Sequence, residues 1–474
     1  MRSKSPHAID QFRDVLREIG QEQILAFGDR LEPTRQRELL DDLASIDLDA
    51  IPSLSRLVIG GNEKSLPDSA AAPSPAPVIK SEEVDLAAMA LGRTLLSQGK
   101  VAALTVAGGQ GTRLGFDGPK GAFPISPVRN KPLFQLFAES IVATSRRYRA
   151  AVPWYIMTSP HNDAATRQFF VDHENFGLPN GDVLFFHQGV MPAFDRHGKI
   201  LLDQPHRIAL SPDGHGGTLL ALARSGMLAD MARRGIEQIS YFQVDNPLVN
   251  CVDPLFIGQH VLNQSEMSSK SVTKADDLER VGNFAVTGGK LTVIEYSDLP
   301  DTLAHARNPD GSRTFDAANI AIHAISRTFV ERLTANPASF ALPWHIAHKK
   351  VPYTDLETGA RIEPAEPNAI KLESFIFDAL PLAQRPLILE TSRAEEFSPV
   401  KNSTGVDSIT TARRDISRRS ARWLSMAGVR VPMCDDGEPD GVFEISPLLA
   451  LDAGMLRDAA PIVSLKSGEM FYIE

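Results

Sequence analysis

Apolar and polar positions divide the chain into a helical beginning and a longer stretch in which short apolar runs alternate with helical patterns. Between residues 7 and 59, apolar side chains recur three or four positions apart, as at Ile9, Phe12, Leu16 and Ile19. This spacing places them on one face of a helix. We expect this part of the chain to be a packing or oligomerisation layer that carries no chemistry.

From about residue 85 onward, short apolar runs are separated by helical patterns. The expected strands are Val101–Val106, Trp154–Thr158, Val183–Phe186 and Ser240–Val244. The expected helices are Asp85–Gln98, a helix opened by Pro132, Asn162–Asp172 and Thr218–Arg233. This alternation predicts an α/β fold with an open, mostly parallel sheet and helices on both faces. Ligands bind such sheets beyond the carboxyl ends of the strands.

Length and composition suggest how the chain is divided. A chain of 474 residues is too long for one ordinary core. Residues 65–83 are rich in proline, alanine and serine, which is typical of a linker or of an extended strap across the surface. We therefore expect a helical N-terminal region at 1–64, this linker, a central domain at 84–405 and a small α+β domain at 406–474.

Charge and cysteine usage exclude several classes of protein. The formal net charge of −10 argues against general nucleic-acid binding, so an anionic substrate must meet a local basic pocket. The two cysteines, Cys251 and Cys434, cannot form a disulfide framework. Residues 1–30 lack a continuous apolar core, and no later apolar run is long enough to span a bilayer. We expect a cytoplasmic protein without a nucleic-acid or membrane partner.

The expected strand Val101–Val106 leads into a glycine-rich stretch, Gly108–Gly121, that also carries Arg113 and Lys120. Successive N–H groups in such a turn form a concavity that binds anions, and the two cations suit phosphate oxygens. The spacing fits neither the dinucleotide fingerprint G-x-G-x-x-G nor the Walker loop. A nucleotide-phosphate site of another kind is the prediction, and a glycine-rich surface turn with incidental charges is the alternative.

The pattern L-x-x-x-G-G-x-G-T-R-L-G-x-x-x-P-K-G resembles the signature of the UDP-sugar pyrophosphorylases, the UDPGP family, and within them the UDP-N-acetylhexosamine pyrophosphorylase branch. Further matches run in the family's order from about residue 85 to residue 405. The resemblance implies a Rossmann-like, GT-A-like nucleotidyltransferase fold with a central mixed sheet flanked by helices. It also identifies residues 84–405 as the catalytic nucleotidyltransferase domain.

The reaction implied by the resemblance is uridylyl transfer. UTP and a sugar 1-phosphate, most simply N-acetylglucosamine 1-phosphate, give a UDP-sugar and pyrophosphate. The same chemistry on glucose or galactose 1-phosphate is an alternative. A catalytically silent protein that binds nucleotide-sugars is another.

The resemblance also implies roles for particular residues. The charged residues that act on the phosphates are Arg113, Lys120 and Lys401, and Asp245 holds Mg²⁺. The residues expected to bind the nucleotide are Gly108, Gly109, Gly111, Thr112, Gln188, Gly214 and His215. The residues expected to bind the sugar are Gly282, Glu295, Tyr296, Asn319, Phe375 and Phe377. From the residues alone, a turn cap at Asp245 and a surface glutamine at Gln188 remain alternatives.

Two features bear on which sugar is used, and they point in opposite directions. His215 stands where the N-acetylhexosamine branch has asparagine, and the sequence Gly214-His215-Gly216 is similar to the UDP-glucose branch. Phe375 and Phe377 lie two positions apart on an expected strand. They would share one face and form an apolar wall for an acetyl methyl group.

Overall fold

The alternation of strands and helices expected from the sequence is present in the structure, a computed structural model that describes residues 9–61, 73–80, 85–336, 340–459 and 463–474. The helices, in chain order, are α1 Asp10–Glu18, α2 Pro33–Ser45, α3 Ile51–Gly60, α4 Leu86–Ser97, α5 Leu133–Tyr148, α6 Asp163–Asp172, α7 Thr218–Arg224, α8 Met227–Arg233, α9 Pro254–Leu262, α10 Asp301–Ala304, α11 Arg327–Leu333, α12 Arg393–Glu396, α13 Ile409–Met426 and α14 Ala453–Ala459. The strands are β1 Ser74–Pro75, β2 Val101–Val106, β3 Trp154–Thr158, β4 Val183–His187, β5 Val190–Pro192, β6 Leu202–Gln204, β7 Arg207–Ile208, β8 Leu210–Pro212, β9 Gln238–Gln243, β10 Met267–Thr273, β11 Gly282–Thr287, β12 Lys290–Ile294, β13 Ala317–Ser326, β14 His345–Lys349, β15 Tyr353–Thr354, β16 Arg361–Ile362, β17 Ala369–Glu373, β18 Leu387–Glu390, β19 Gly441–Ile445 and β20 Glu469–Ile473.

The chain forms two units. The smaller one consists of Met1–Ala70, Gln188–Gly217 and Ala341–Ile376, and the larger one of Ala71–His187, Thr218–Phe340 and Phe377–Glu474. The division into four segments expected from the sequence stays a prediction.

A ten-stranded mixed sheet forms the centre of the larger unit. Its main path runs β1, β11, β13, β9, β2, β3, β4, and β10, β12 and β18 pair beside it. The predicted α/β fold with a central mixed sheet flanked by helices is therefore confirmed. The expectation of a mostly parallel sheet is correct for β9, β2, β3 and β4, which are parallel to one another.

The other side of this sheet is largely antiparallel, whereas the alternation of strands and helices alone predicts parallel strands. One cause is a tight hairpin: β11 and β12 are joined by Gly288 and Gly289, whose φ angles are 59° and 77°. Two glycines at positive φ allow a two-residue turn, and such a turn makes antiparallel neighbours. Parallel strands require a longer crossover.

Side-chain caps begin some of the helices, and one expected helix is divided. Asp85 caps α4 by accepting from the amides of Ala87 and Ala88, and Ser408 with Thr411 forms a capping box at the start of α13. The single helix expected at Thr218–Arg233 is wrong. The structure has two helices there, because Gly226 adopts a φ of 78° between them.

In the smaller unit the N-terminal helices share a core with strands from the two later segments. Leu16 and Leu39 are fully buried in this core together with Phe194 and Leu372. Gln21 adds polar links, since its amide donates to the carbonyl of Gly198 at 2.8 Å and accepts from the amide of Ile200 at 2.9 Å. The unit is thus built from three distant pieces of sequence.

Two further regions belong to the larger unit. The short strand β1 pairs with β11, whereas residues 65–72 and 81–83 of the expected linker lie outside the described residues. Near the C-terminus, β19 and β20 form a parallel pair. They lie over a small core that includes Leu424, Phe443 and Leu456. None of the described helices is both long and apolar enough to cross a membrane.

Candidate active site

The glycine loop begins where β2 ends, at the edge formed by the carboxyl ends of the parallel strands. Its carbonyl groups are held by two side chains that follow β3. Asn162 donates to the carbonyls of Ala107 and Gly109 at 2.8 and 3.2 Å, and Ser159 donates to that of Gly108 at 3.0 Å. Asn162 and Ser159 are themselves buried, so this arrangement is firmly anchored.

With its carbonyls occupied in this way, the loop keeps amide groups available. Within the described part of the chain, no group accepts from the amides of Gly108, Gly109 or Gln110. Gly109 and Gln110 are exposed, and a Cβ atom at Gly109 would lie 3.9 Å from Cε of Lys120. Consecutive amides beside a lysine are a favourable environment for a phosphate.

The loop is closed by a hydrogen bond from the Gly111 amide to the carbonyl of Gly118 at 2.8 Å. A Cβ atom at Gly111 would lie 2.7 Å from Cδ1 of Phe116, so a larger residue would force this turn apart. Thr112 and Arg113 follow in a short 3₁₀ turn, and both are exposed. The loop backbone is therefore held in one conformation, and the side chain of Arg113 remains accessible.

Lys120 and Asp245 lie close together beyond two neighbouring strands. Because β2 and β9 are parallel, with Val106 opposite Gln243, the residues that follow them emerge at the same edge of the sheet. Nζ of Lys120 is 3.7 Å from Oδ2 of Asp245, and the two side chains are only 17% and 16% exposed. Partial burial strengthens their interaction relative to a pair in water.

The segment that carries Lys401 is bonded to the tip of β9. The Val400 amide donates to the carbonyl of Asp245 at 2.8 Å. The side chain of Asn246 donates to the carbonyl of Glu396 at 2.7 Å. Residues about 150 positions apart in sequence are thereby held side by side, and Lys401 is the next residue after Val400.

The side chains of the four predicted charged residues differ in their contacts. Lys120 and Asp245 are paired, whereas Nζ of Lys401 lies 3.2 Å from Oδ2 of Asp407. Arg113 is on the same loop as Lys120, and no described group accepts a hydrogen bond from its guanidinium. The structure therefore brings Lys120, Asp245 and the backbone of the Lys401 segment together, and it leaves Arg113 exposed on the glycine loop.

Three of the residues expected to contact the sugar converge on the antiparallel side of the sheet. Gly282 and Asn319 are opposite each other on β11 and β13. A Cβ atom at Gly282 would lie 2.5 Å from Cγ1 of Val293, 3.2 Å from Oε1 of Glu295 and 3.7 Å from Cβ of Asn319. A side chain at this position would clash with Val293, and glycine lets the carboxylate of Glu295 lie close to the backbone. Tyr296, in the turn after β12, is 47% exposed.

The smaller unit brings together Gln188, Gly214 and the end of β17. The carbonyl of Gly189, next to Gln188, accepts from the amide of Asp213 at 3.1 Å. A Cβ atom at Gly214 would lie 2.3 Å from the carbonyl oxygen of Ser374, so only glycine allows this close approach. Gln188 is 7% exposed, which contradicts the alternative of a surface glutamine.

His215 is held in place by the chain that follows β17. Its Nδ1 accepts from the amide of Ile376 at 3.2 Å, which fixes the ring orientation. The ring stacks on Phe375 with centroids 5.2 Å apart and an interplanar angle of 23°. His345 contacts the same phenylalanine, with centroids 4.4 Å apart.

The expected wall formed by Phe375 and Phe377 on one strand is wrong. The ladder between β14 and β17 ends with the pair His345 and Glu373, and the amide of Ser374 donates instead to the carbonyl of Asp213 at 2.9 Å. A 3₁₀ turn starts at Ile376, so the two rings do not share a strand face. Phe375 belongs to the smaller unit, and Phe377, 5% exposed, belongs to the larger one.

Comparison with protein-family models adds a decisive observation. The model described as UTP–glucose-1-phosphate uridylyltransferase, UDPGP, matches residues 59–426, which is more than half of the chain. The chain belongs to this uridylyltransferase family.

Several named proteins are similar to this chain over most of its length. The UDP-N-acetylhexosamine pyrophosphorylase-like protein 1 of Mus musculus is 36% identical, and the alignment covers 93% of each chain. The UDP-N-acetylglucosamine pyrophosphorylase of Saccharomyces cerevisiae is also 36% identical, over 87% of this chain and 91% of the yeast protein. A crystal structure of the uridine diphosphate N-acetylglucosamine pyrophosphorylase from Trypanosoma brucei aligns with a TM-score of 0.82 at 27% identity, covering 96% of this chain and 95% of that one.

Within this member of the uridylyltransferase family, several supporting residues were not found from the sequence. Ser159 and Asn162 hold the carbonyls of the glycine loop, and Asn246 bonds the Lys401 segment. The sequence does contain a feature that could have identified each of these three residues. All three are polar residues at the carboxyl end of a predicted buried strand, where a side chain can reach the neighbouring loop.

Cys251 takes no part in this chemistry. It is fully buried, and burial raises the pKa of its thiol to about 12. Such a thiol is protonated at neutral pH, so Cys251 acts as a small apolar residue in the core of the larger unit.

Proposed function

We propose that this chain is a uridylyltransferase that converts UTP and N-acetylglucosamine 1-phosphate into UDP-N-acetylglucosamine and pyrophosphate. The observation that carries the proposal is the group formed by the open glycine loop, Lys120, Asp245 and the Lys401 segment at one edge of the sheet. The names of the mouse, yeast and Trypanosoma relatives support the sugar.

The chemistry needs charge stabilisation and alignment. A phosphate oxygen of the sugar 1-phosphate forms a bond to the α-phosphorus of UTP, and the bond from that phosphorus to the oxygen bridging it to the β-phosphate breaks. The nucleophile is already an anion, so no side chain has to remove a proton. The barrier comes from bringing two anions together in line, and fixed positive charges lower it.

We assign three cations to the phosphates. Lys120 and Arg113 would hold the β- and γ-phosphates, which leave together as pyrophosphate. Lys401 would contact the α-phosphate. The amides of Gly108 and Gly109, with Gly111 and Thr112 behind them, would bind the same phosphates through the backbone.

Asp245 is the residue that would hold Mg²⁺. Within the described residues, no group of three or more histidine, cysteine, aspartate or glutamate side chains converges as a self-sufficient metal site. One partly exposed carboxylate facing a lysine fits an ion that takes its other ligands from phosphate oxygens and water, which is the usual arrangement for Mg²⁺. When bound, the ion neutralises charge on the phosphates of the nucleotide.

The remaining residues would recognise the base and the sugar. Gln188 can donate to and accept from the uracil edge, next to Gly214 and His215. Glu295 and Asn319, beside Gly282, would bind sugar hydroxyls. Tyr296, Phe375 and Phe377 complete the set of residues that we assign to the sugar.

The test is pyrophosphate release by the purified full chain with UTP and a series of sugar 1-phosphates. N-Acetylglucosamine 1-phosphate should give the highest kcat/KM. A preference for glucose or galactose 1-phosphate would refute the choice of sugar and would fit the histidine at position 215. Binding of UTP without pyrophosphate release from any of the sugars would refute the enzyme. The cytoplasmic location and the absence of nucleic-acid and membrane partners remain predictions.

A further inference from the structure

One side chain of helix α13 joins two segments that lead to the proposed phosphate site. Nη1 of Arg419 donates to the carbonyl of Leu248 at 2.8 Å and to that of Glu395 at 3.0 Å. Leu248 lies three positions after Asp245, and Glu395 lies six positions before Lys401. Although burial lowers the pKa of Arg419 to about 10, the guanidinium remains charged at neutral pH, and charged donors form the stronger hydrogen bonds.

This link is the outermost in a row of cross-links between the same two segments. Closer to the charged residues, the side chain of Asn246 donates to the carbonyl of Glu396, and the amide of Val400 donates to the carbonyl of Asp245. The row therefore runs from Arg419 to the residue next to Lys401.

On one side, the two segments face an open cavity. A cavity of about 400 Å³ is lined by both of them, through Pro247–Asn250 and Glu395–Glu396, and by Arg419 itself. The atoms that face this cavity lack the contacts that a packed interior would give. On this side, Arg419 joins the two segments by hydrogen bonds.

The neighbours of Arg419 on α13 bond only one of the two segments. Arg422 donates to the side chain of Glu395 at 3.0 Å and to the carbonyl of Ala394 at 2.5 Å. Trp423 donates to the other oxygen of Glu395 at 2.7 Å. Along this fully described helix, Arg419 is the residue that bonds both segments.

We propose that Arg419 is a positioning residue that sets Lys401 relative to Asp245. The proposal rests on the proposed function, because it assigns Arg419 a purpose only if those two residues act on one substrate. Arg419 itself touches no reacting group. It acts through the two backbone segments.

Kinetics provide the first test. Arg419→Met should lower kcat for pyrophosphate release by about tenfold or more, the scale expected when reacting groups are misplaced by a fraction of an ångström to one ångström. KM for UTP should stay within about threefold, since the other phosphate contacts of the ground state remain. Arg419→Lys, which can still donate to both carbonyls, should recover most of the loss. In a Lys401→Ala background, Arg419→Met should add less than about twofold.

Arg418→Met is the matched control, because Arg418 lies on the same helix and pairs with Glu438 at the surface. Its kcat should stay within about twofold of the wild type. Equal losses in Arg418→Met and Arg419→Met would overturn the proposal, as would full additivity of Arg419→Met with Lys401→Ala.

Hydrogen exchange without substrate separates this proposal from the proposed function. In Arg419→Met, peptides covering 246–250 and 396–402 should both exchange faster, whereas Arg422→Met should affect the second peptide alone. Unchanged exchange in both peptides would overturn the positioning role. If Arg419→Met does not fold, Arg419→Lys takes its place, with a smaller change in the same two peptides. A wild-type chain without pyrophosphate release would refute the enzyme, and the exchange result would still decide whether Arg419 links the segments.

Discussion

Replacing Lys120 with alanine is the sharpest test of the phosphate site. Lys120 lies 3.7 Å from Asp245 and beside the exposed amides of the glycine loop, and it is 17% exposed. The substitution removes one positive charge and leaves the loop backbone intact, because the hydrogen bond from the Lys120 amide to the carbonyl of Gly109 does not involve the side chain.

The expected magnitude follows from the charge that is lost. A lysine about 4 Å from a phosphate oxygen interacts with it by about 4 kcal/mol at an effective dielectric constant of about 20. That value sets a ceiling of about 10³-fold on the loss of kcat. Arg113, Lys401 and a bound ion would share the same charge, so about 10²-fold is the expected loss. The free energy of unfolding should fall by less than about 1 kcal/mol, because the 3.7 Å between Nζ and Oδ2 is a long separation for an ion pair.

The assay is pyrophosphate release at saturating UTP and N-acetylglucosamine 1-phosphate, with thermal unfolding measured in parallel. Lys100→Ala is a matched control. Lys100 precedes β2 and pairs at 2.8 Å with Glu237, which precedes β9, so it lies at the opposite ends of the same two strands. Its kcat should be unchanged. If Lys120→Ala retains more than half of the wild-type kcat, the lysine does not stabilise the departing phosphates.

Three further substitutions test other parts of the structure. Gly92→Ala should destabilise the larger unit by about 3 kcal/mol in urea unfolding, because the added Cβ would lie 1.7 Å from the carbonyl oxygen of Pro254. Gly60→Ala is the control and should be neutral, because no atom lies within 4 Å of its added Cβ. Glu295→Gln should raise KM for the sugar 1-phosphate by about tenfold, because one charged hydrogen bond is weakened, and it should leave KM for UTP unchanged. An equal rise in both KM values would contradict a sugar contact. Burial lowers the pKa of His260 to about 3, below the unfolded value of about 6.5, so the unfolded chain takes up a proton first as the pH falls. Stability should therefore decline below pH ~6.5 by up to about 1.4 kcal/mol per pH unit on account of this residue, and urea midpoints of His260→Gln between pH 7.5 and 5 should fall less steeply than those of the wild type.

The strands of the nucleotide side were predictable because their signals are local. Val101–Val106 and Trp154–Thr158 are predicted with the bounds that the structure has. Both are short apolar runs with defined ends, and burial on both faces requires no information from the rest of the chain. The same reasoning correctly placed the glycine loop at the carboxyl edge of the sheet.

Features that depend on distant partners were not predictable in this way. The antiparallel strands and the end of β17 are decided by which segment lies alongside, as when Ser374 bonds Asp213 and the ladder stops. The smaller unit combines three pieces of chain, and neither periodicity nor composition marks them as neighbours. A strand pattern at Phe375 and Phe377 was plausible locally and was overridden by tertiary contacts.

In the site, the residues that act on the phosphates were predictable from the sequence, and the residues that hold them in position were not. Phosphate chemistry restricts a residue to a few types, so Lys120 and Asp245 stand out in a glycine-rich or strand-end context. A positioning residue needs only a hydrogen-bond donor that is long enough to contact the segment it holds. Helix α13 contains several arginines, and their spacing in the sequence does not distinguish them. Their partners do: Arg418 bonds Glu438, Arg422 bonds one segment, and Arg419 bonds two. Each of the three substitutions removes one positive charge from the same helix. A loss of turnover specific to Arg419→Met therefore does not come from the charge alone, and it identifies the link between the two segments as the cause.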